Sequence, residues 1–459
     1  MNTQAIFFLG ALVGLLVIAG LVVAIMRSDK ARRTPLHIAL AVALAVSVIG
    51  GAAWLRAEQS STASVNANLT IFTLGLDCSR VSGDCGLPNA LYALRADTGA
   101  TRWEAVEPKP TYFDGATPLL HDGIVYAFTY PGASATIGPM DNDILTAWRG
   151  GDGARLWSAR VLIPCCEAPP VYAAGNALAI LDTSVADSAG NLTWNLLLLN
   201  ASDGSRIGIT RLPENNPPTV ADGVAYQCLP SGGIIATRVS DGAMLWRSPA
   251  PAAANQLDPI CDVTVANGMV FAAATTGSNG GASANGQVIA VSAATGQTFW
   301  RYATPTPHPL AVGDGLVVLG EGNRYSPSTI VALRVSDGAV AWRHQGLPSP
   351  PMVRGFSPFP AVVAGAGLVL LGGSFTGLLA LRADNGNIAW RIDDDSLVFN
   401  PIGVDNDTVF VRSRPFGLAG LLSLPFNGSV AALRASDGSP YWQTTLDVQN
   451  QGPIPIGSV

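Results

Sequence analysis

Charge is scarce in this chain. Acidic and basic residues make up 13% of its 459 positions, about half the share usual for a soluble protein. The four histidines, His37, His121, His308 and His344, are scattered, which argues against a zinc centre or a His-based triad. Glutamate is rare as well, found at Glu58, Glu104, Glu107, Glu167, Glu214 and Glu321. The formal net charge is −6, and no Lys/Arg run occurs outside residues 27–33, so nucleic acid is excluded as a partner. No cysteine precedes Cys78, which removes a lipid anchor on an N-terminal cysteine. A C-x-x-C-H haem motif, a P-loop and a G-x-G-x-x-G helix start are all missing, and helical patterning stops after residue 60.

The scarcity is sharpest at the N-terminus. Residues 5–26 and 36–55 carry no charged side chain, and each reaches the ~20 residues a helix needs to cross a bilayer. The loop between them, residues 27–35, reads "RSDKARRTP" and sets Arg27, Lys30, Arg32 and Arg33 against Asp29. The positive-inside rule places that loop in the cytoplasm. Residues 1–56 are therefore expected to form a transmembrane hairpin in the cytoplasmic membrane. Residues 57–68 would be a linker, and all that follows would be extracytoplasmic. The start "MNTQ" lacks the basic n-region of a signal peptide. Cleavage after "AAWLRA" stands as the alternative for the second segment. Gly10 and Gly14 have the small-xxx-small spacing of packed membrane helices.

Beyond the linker one phrase recurs: "LYALRADTGATRW" (91–103), "TRVSDGAMLW" (237–246), "VALRVSDGAVAW" (331–342), "LALRADNGNIAW" (379–390), "AALRASDGSPYW" (431–442). Its glycine falls at Gly99, Gly153, Gly204, Gly242, Gly296, Gly338, Gly386 and Gly438, at intervals of 38 to 54 residues. Seven of the eight have tryptophan four residues on: Trp103, Trp157, Trp246, Trp300, Trp342, Trp390 and Trp442. The third copy has Gly208 there instead. Paired apolar runs split by D-G or A-G, such as "TPLLHDGIVYAFTY" (117–130) and "PAVVAGAGLVLLG" (360–372), read as hairpins. The unit is strand A, tight turn, strand B, loop, strand C, turn, strand D. Repeated radially, such units make a β-propeller. The glycine suits a positive φ, and the tryptophan offers a flat apolar plate to the neighbouring blade.

Closure follows from the two ends of the repeat region. Residues 69–78 match strand B with no strand A before them, and residues 453–459 match strand A with nothing after them. The final residues are expected to complete the first blade, giving an all-β, eight-bladed propeller over residues 69–459 with no free inner edge.

The phrase A-x-D-x-x-T/D-G-x-x-x-W, as in "ALRADTGATRW" and "AVSAATGQTFW", resembles the repeat of the pyrroloquinoline quinone (PQQ) propeller family. The resemblance covers nearly all of residues 69–459. It implies eight blades docked through their tryptophans, and two branches of function. One branch holds PQQ and Ca²⁺ at the axis as quinoprotein dehydrogenases; the other binds no cofactor and serves as a docking platform in outer-membrane assembly. The resemblance also implies a role for Cys165–Cys166, with Glu167 beside them. In the dehydrogenases a vicinal disulfide packs against the quinone. A structural vicinal disulfide, or two free thiols, is the alternative here.

Function is expected on the face where the B–C loops and D–A connections emerge, because long loops on a rigid scaffold carry binding. The cysteines fall near it. Cys78 and Cys85 bracket a short loop, and Cys228 and Cys261 stand on adjacent blades, so both pairs suit disulfides in an oxidising compartment. Calcium needs converging oxygen ligands and a dehydrogenase needs a carboxylate base. Of the glutamates, Glu167 and Glu321 lie towards the loop-rich face. Most aspartates sit in C–D turns on the other. No metal ligand set and no catalytic residue is assigned. The reading is a membrane-anchored platform that binds a protein or small ligand; the alternative is a PQQ/Ca²⁺-dependent dehydrogenase of alcohols or sugars.

Overall fold

The computed structural model describes residues 68–458, apart from 76–89, 108–110, 114–116, 132–142, 162–169, 183–192, 215, 230–232, 249–259, 277–284, 305–307, 324–325, 346–360, 374–376, 395–396, 416–427 and 447–454. The expected hairpin, Cys78, Cys85, Cys165, Cys166 and Glu167 lie outside the described residues. The chain divides into two units, Met1–Ser61 and Thr62–Val459. Among the described residues no helix is long and apolar enough to cross a membrane.

Eight antiparallel sheets follow one another along the chain. Blade 1 combines β1 (Leu69–Gly75), β2 (Ala90–Arg95) and β3 (Thr101–Val106) with a strand from the far end. Blade 2 has β4 (Thr111–Phe113), β5 (Leu119–His121), β6 (Ile124–Pro131), β7 (Asp143–Arg149) and β8 (Arg155–Val161). Blade 3 is β9 (Val171–Ala174), β10 (Ala177–Asp182), β11 (Asn195–Asn200) and β12 (Arg206–Arg211). Blade 4 is β13 (Thr219–Ala221), β14 (Val224–Cys228), β15 (Ile234–Arg238) and β16 (Met244–Arg247). Blade 5 is β17 (Ile260–Ala266), β18 (Met269–Thr276), β19 (Asn285–Ser292) and β20 (Thr298–Thr304). Blade 6 is β21 (His308–Gly313), β22 (Leu316–Asn323), β23 (Ser326–Arg334) and β24 (Val340–Gln345). Blade 7 is β25 (Ala361–Gly365), β26 (Leu368–Gly373), β27 (Gly377–Arg382) and β28 (Ile388–Ile392). Blade 8 is β29 (Leu397–Asp405), β30 (Thr408–Pro415), β31 (Ser429–Arg434) and β32 (Pro440–Thr445), and β33 (Ile456–Ser458) ends the chain.

β33 pairs with β1 in the order β3-β2-β1-β33, with Ile71 opposite Ile456 and Leu69 opposite Ser458. The eight-bladed all-β propeller thus closes on the chain's own C-terminal strand. Blade 2 departs from the simple pattern. Its inner strand is split, so that β4 and β5 both pair with β6. Pro118 stands just before β5 and has no N–H to give to a ladder.

The core lies between blades rather than within them. Each of the eight apolar clusters mixes residues of two successive blades, as in Tyr226, Ala236 and Trp246 with Val270, Ile289 and Val291. The last joins Phe410, Ala432 and Trp442 of blade 8 to Ile71, Tyr92 and Leu94 of blade 1. Strands B and C are therefore buried on both faces. That is why they read as continuous apolar runs such as "ALYALR" and "LVLLGG" rather than alternating ones.

The A–B hairpins use positive φ twice in succession. Asp122, Asp222, Asn267, Asp314 and Asn406 lie near φ 50, and four of these precede a glycine that is also positive. This is the turn geometry that fits strand twist, and Asp-Gly and Asn-Gly supply it at low strain. Ala366 adopts the same φ of 50 without a polar side chain to help.

Candidate functional site

The two ends of the propeller differ in how their polar groups are used. On one face, the C–D turn of every blade but the first is tied to its own A–B turn by a backbone bond. Gly150 N donates to Gly123 O at 2.7 Å, Val239 N to Gly223 O at 2.9 Å, and Val335 N to Gly315 O at 2.8 Å. The turn aspartates are occupied locally. Oδ1 of Asp152, Asp241 and Asp337 accepts the N–H two residues on, each at 3.0 Å. Arg334 and that N–H hold the Asp337 carboxyl below its ordinary range, and the Ser439 hydroxyl does the same for Asp437. This face is a lattice of turns joined by hydrogen bonds.

The tryptophans lock successive blades from this side. The indole Nε1 of Trp103 donates to Gly150 O at 2.7 Å, Trp246 to Ala293 O at 2.9 Å, Trp300 to Val335 O at 2.8 Å and Trp390 to Ala435 O at 2.7 Å. Trp157, Trp342 and Trp442 do likewise to Ala201, Ala383 and Ala96. Each ring also lies flat on the next blade's turn glycine. A Cβ on Gly296 would come 2.4 Å from Trp246, and one on Gly386 the same distance from Trp342. Those glycines are therefore fixed twice, by positive φ and by the indole above them.

Every docking tryptophan stands opposite an alanine of strand C: Ala93, Ala147, Ala236, Ala290, Ala332, Ala380 or Ala432. Blade 3 exchanges both partners. Gly208 replaces tryptophan and Leu198 replaces alanine. Leu198 is buried in the blade 3–4 core, and Thr210 Oγ1 takes over the bond to the next turn at Val239 O. A Cβ on Gly242 would meet Thr210 Cγ2 at 3.5 Å and Arg211 O at 3.7 Å, both ordinary contacts. Leu198 and Thr210 thus replace part of what the indole and alanine supply in the other blades.

The opposite face is rooted in buried polar side chains at the strand ends below the loops. Gln227, ending β14's approach to that face, donates from Nε2 to Glu214 O at 2.8 Å and Asn216 O at 2.6 Å. Its Oε1 accepts from Glu214 N at 3.3 Å. This pins the connection between blades 3 and 4. Burial pushes the Glu214 carboxyl up, partly offset by Arg247. Glu321 on β22 accepts from Tyr302 Oη at 2.9 Å and Thr304 Oγ1 at 3.0 Å of blade 5, and pairs with Arg343 of β24. Arg412 on β30 is 1% exposed, and Asp182 and Asn195 are buried opposite one another in blade 3. At Gln227 and Glu321 the chain ends that lead into the loops are fixed by hydrogen bonds.

Sequence reading missed Arg412, although an arginine inside the apolar strand "TVFVRSRP" was a signal for it. Glu321 lies towards the loop-rich end, yet its carboxylate is held between blades by a tyrosine, a threonine and an arginine. Cys228 is buried at the end of β14 and Cys261 lies in β17. Among the described residues no group of three His, Cys, Asp or Glu side chains is placed to hold a metal ion.

A closed ring of eight blades, seven of them docked by an indole on the neighbour's turn, defines the class of tryptophan-docked propellers. Within that class the chain is similar to the PQQ-like repeat family. The family model described as "Outer membrane protein assembly factor BamB" matches residues 185–351 and 232–393. A curated relative, the outer membrane protein assembly factor BamB of Yersinia pestis, is 23% identical over 283 residues, 58% of this chain and 65% of that protein. The match thus spans under two thirds of the relative's length. Among solved structures, BamB from Moraxella catarrhalis is similar at TM-score 0.49 and 15% identity, covering 77% of this chain and 96% of that one. The quinohemoprotein alcohol dehydrogenase from Comamonas testosteroni is similar at TM-score 0.45 and 13% identity, covering 72% and 67%.

Proposed function

We propose that this protein is an extracytoplasmic docking platform, held at the cytoplasmic membrane by the hairpin of residues 1–56, that binds a protein through its loop-rich face. The observation that carries this reading is the contrast between the two faces. One spends its polar groups on its own turns, while the other fixes the roots of long, dissimilar loops. The assembly-factor name of the curated relative supports a protein partner. The extracytoplasmic placement is supported by Cys228, which is disulfide-bonded, since such bonds persist in oxidising compartments. Cys261 on the adjacent blade is the partner this reading assigns to it.

The dehydrogenase alternative rests on Cys165, Cys166 and Glu167. Against it stands Glu321, whose carboxylate is already engaged between two blades.

Photo-crosslinking from the full chain in its membrane tests the reading. Crosslinkers replacing Ala133 and Ala419 in the loops should capture a discrete protein, and crosslinkers replacing Asp222 and Asp314 in the turns should not. Equal capture from both faces, or stoichiometric PQQ binding with Ca²⁺-dependent alcohol oxidation, would overturn it.

A further inference from the structure

The large apolar side chains that remain exposed among the described residues share one address. Leu156, Ile207, Ile209, Met244, Leu245, Phe299, Val340 and Ile388 all lie on fourth strands, the outer edges of their blades. They are densest on blades 3 and 4, where Ile207 is 56% and Met244 63% exposed. Blade 3 is also where the docking indole is missing.

Its outer strand β12 reads Arg206-Ile-Gly-Ile-Thr-Arg211. Among the described residues it pairs on one side only, with β11, so its outer backbone groups face no described strand. A side chain at Gly208 would meet nothing within 4 Å, which leaves room for another backbone to approach. Natural sheet edges are usually protected by a central charge, a proline or a bulge that turns the edge away. The middle of β12 has neither charge nor proline, and its ladder with β11 shifts register at Ile207, between the Leu198–Gly208 and Leu199–Arg206 pairs. Its charges stand at the two ends, both are cations, and no described carboxylate lies within ion-pair distance of Arg206 or Arg211. The turn arginines contrast with them: Arg149, Arg238 and Arg334 are each paired with the aspartate of their own turn.

From this we infer that β12 is a β-augmentation site for an extended strand of a partner protein, apolar at its centre and acidic at both ends. The partner strand would extend blade 3 outward by main-chain hydrogen bonds, lay apolar side chains on Ile207 and Ile209, and set its acids against Arg206 and Arg211. A second copy of this chain is disfavoured as the occupant. Two β12 strands paired antiparallel in full register bring Arg206 opposite Arg211, cation against cation. The site lies on the outer wall, apart from the loop-rich face, and does not depend on that face binding anything.

The test uses full-length protein in detergent and a fluorescent peptide with the core Asp-Val-Thr-Val-Thr-Asp. Controls are the same peptide with lysine at both ends and one with a central proline, which has no N–H for the edge. Anisotropy should show the acid-ended peptide binding about tenfold more tightly than the lysine-ended one, and the proline peptide not binding. The double variant Arg206→Glu/Arg211→Glu changes only exposed side chains. It should reverse the preference between the two charged peptides while leaving the thermal unfolding midpoint unmoved. A photo-reactive acid-ended peptide should label β12. The inference is overturned if the peptides bind alike or not at all, if the double variant leaves the preference unchanged, or if the label lands elsewhere. It is also overturned if anionic vesicles of phosphatidylglycerol, and no peptide, bind in an Arg206- and Arg211-dependent way, because the occupant is then a lipid surface.

Discussion

The indole of Trp442 donates its Nε1 hydrogen to the carbonyl of Ala96, 346 residues earlier in the chain, at 3.0 Å. The same indole covers Gly99, whose added Cβ would fall 2.3 Å from the ring. This seam joins blade 8 to blade 1. Trp442→Phe keeps a plate but leaves that carbonyl without its donor, at a cost of about 1 kcal/mol. Trp442→Ala also opens a cavity and should cost about 3–5 kcal/mol. Urea unfolding followed by circular dichroism measures both; equal losses would mean that the plate adds nothing beyond the bond.

Gly296 and Gly242 have nearly the same φ, 70 and 73, but different roofs. Gly296 lies under Trp246, while a Cβ on Gly242 would meet Thr210 Cγ2 at 3.5 Å and Arg211 O at 3.7 Å. Gly242→Ala should cost the left-handed strain alone, about 1–2 kcal/mol. Gly296→Ala should cost a further ~1–3 kcal/mol, because the indole must shift. Thermal unfolding of the two variants side by side decides it.

Leu198 and Gly208 act as one unit across the β11–β12 ladder. Leu198→Ala should lose about 2–5 kcal/mol, and Gly208→Trp should overpack by about 1–3 kcal/mol. Together they restore the pairing used by the other seven blades. The double variant should be more stable than the sum of the single losses, with a coupling of about 0.5–3 kcal/mol. A double-mutant cycle that closes to zero would refute the exchange.

Acid and alkali should act on different parts of the ring. The carboxyls of Asp152, Asp241, Asp337 and Asp437 are held low by turn hydrogen bonds and by Arg149, Arg238 and Arg334. A folded pKa below the unfolded one gives stability that is present above about pH 4 and lost as pH falls below it. Burial pushes Tyr172 up to about 12, and its hydroxyl donates to Pro218 O at 2.9 Å. That stability is present below about pH 10 and lost as pH rises towards 12. Unfolding midpoints across pH check both limbs. Asp337→Asn should flatten the acid limb, and Tyr172→Phe the alkaline one.

Ala366 is the one alanine with positive φ among the described residues. Ala366→Asn, following the asparagines at positions 267 and 406, should raise stability by up to about 1 kcal/mol. A midpoint unchanged or lowered would show that the turn tolerates alanine without strain.

Much of this architecture was legible in the sequence because repetition multiplies weak signals. One turn glycine followed by tryptophan says little; eight phased glycines, seven with the tryptophan, set the blade count, and the unmatched ends at residues 69 and 459 set the closure. What stayed hidden depends on pairs that are distant in sequence. The Leu198–Gly208 exchange needs the register of β11 on β12, and the bond from each indole needs the neighbouring blade's turn. The engagement of Glu321 needs three strands from two blades. The split inner strand of blade 2 follows from local chain direction that periodicity does not encode. The cysteine and glutamate candidates at 165–167 sit in a connection whose placement no repeat dictates.

The pairing of Ile71 with Ile456 has a consequence in time. During synthesis the first blade waits for its innermost partner until some 380 further residues have been made. At about 5–20 residues per second, this delay is on the order of 20–80 s. Throughout it, the nascent chain offers an unsatisfied ribbon edge to whatever chaperone or stray polypeptide arrives first.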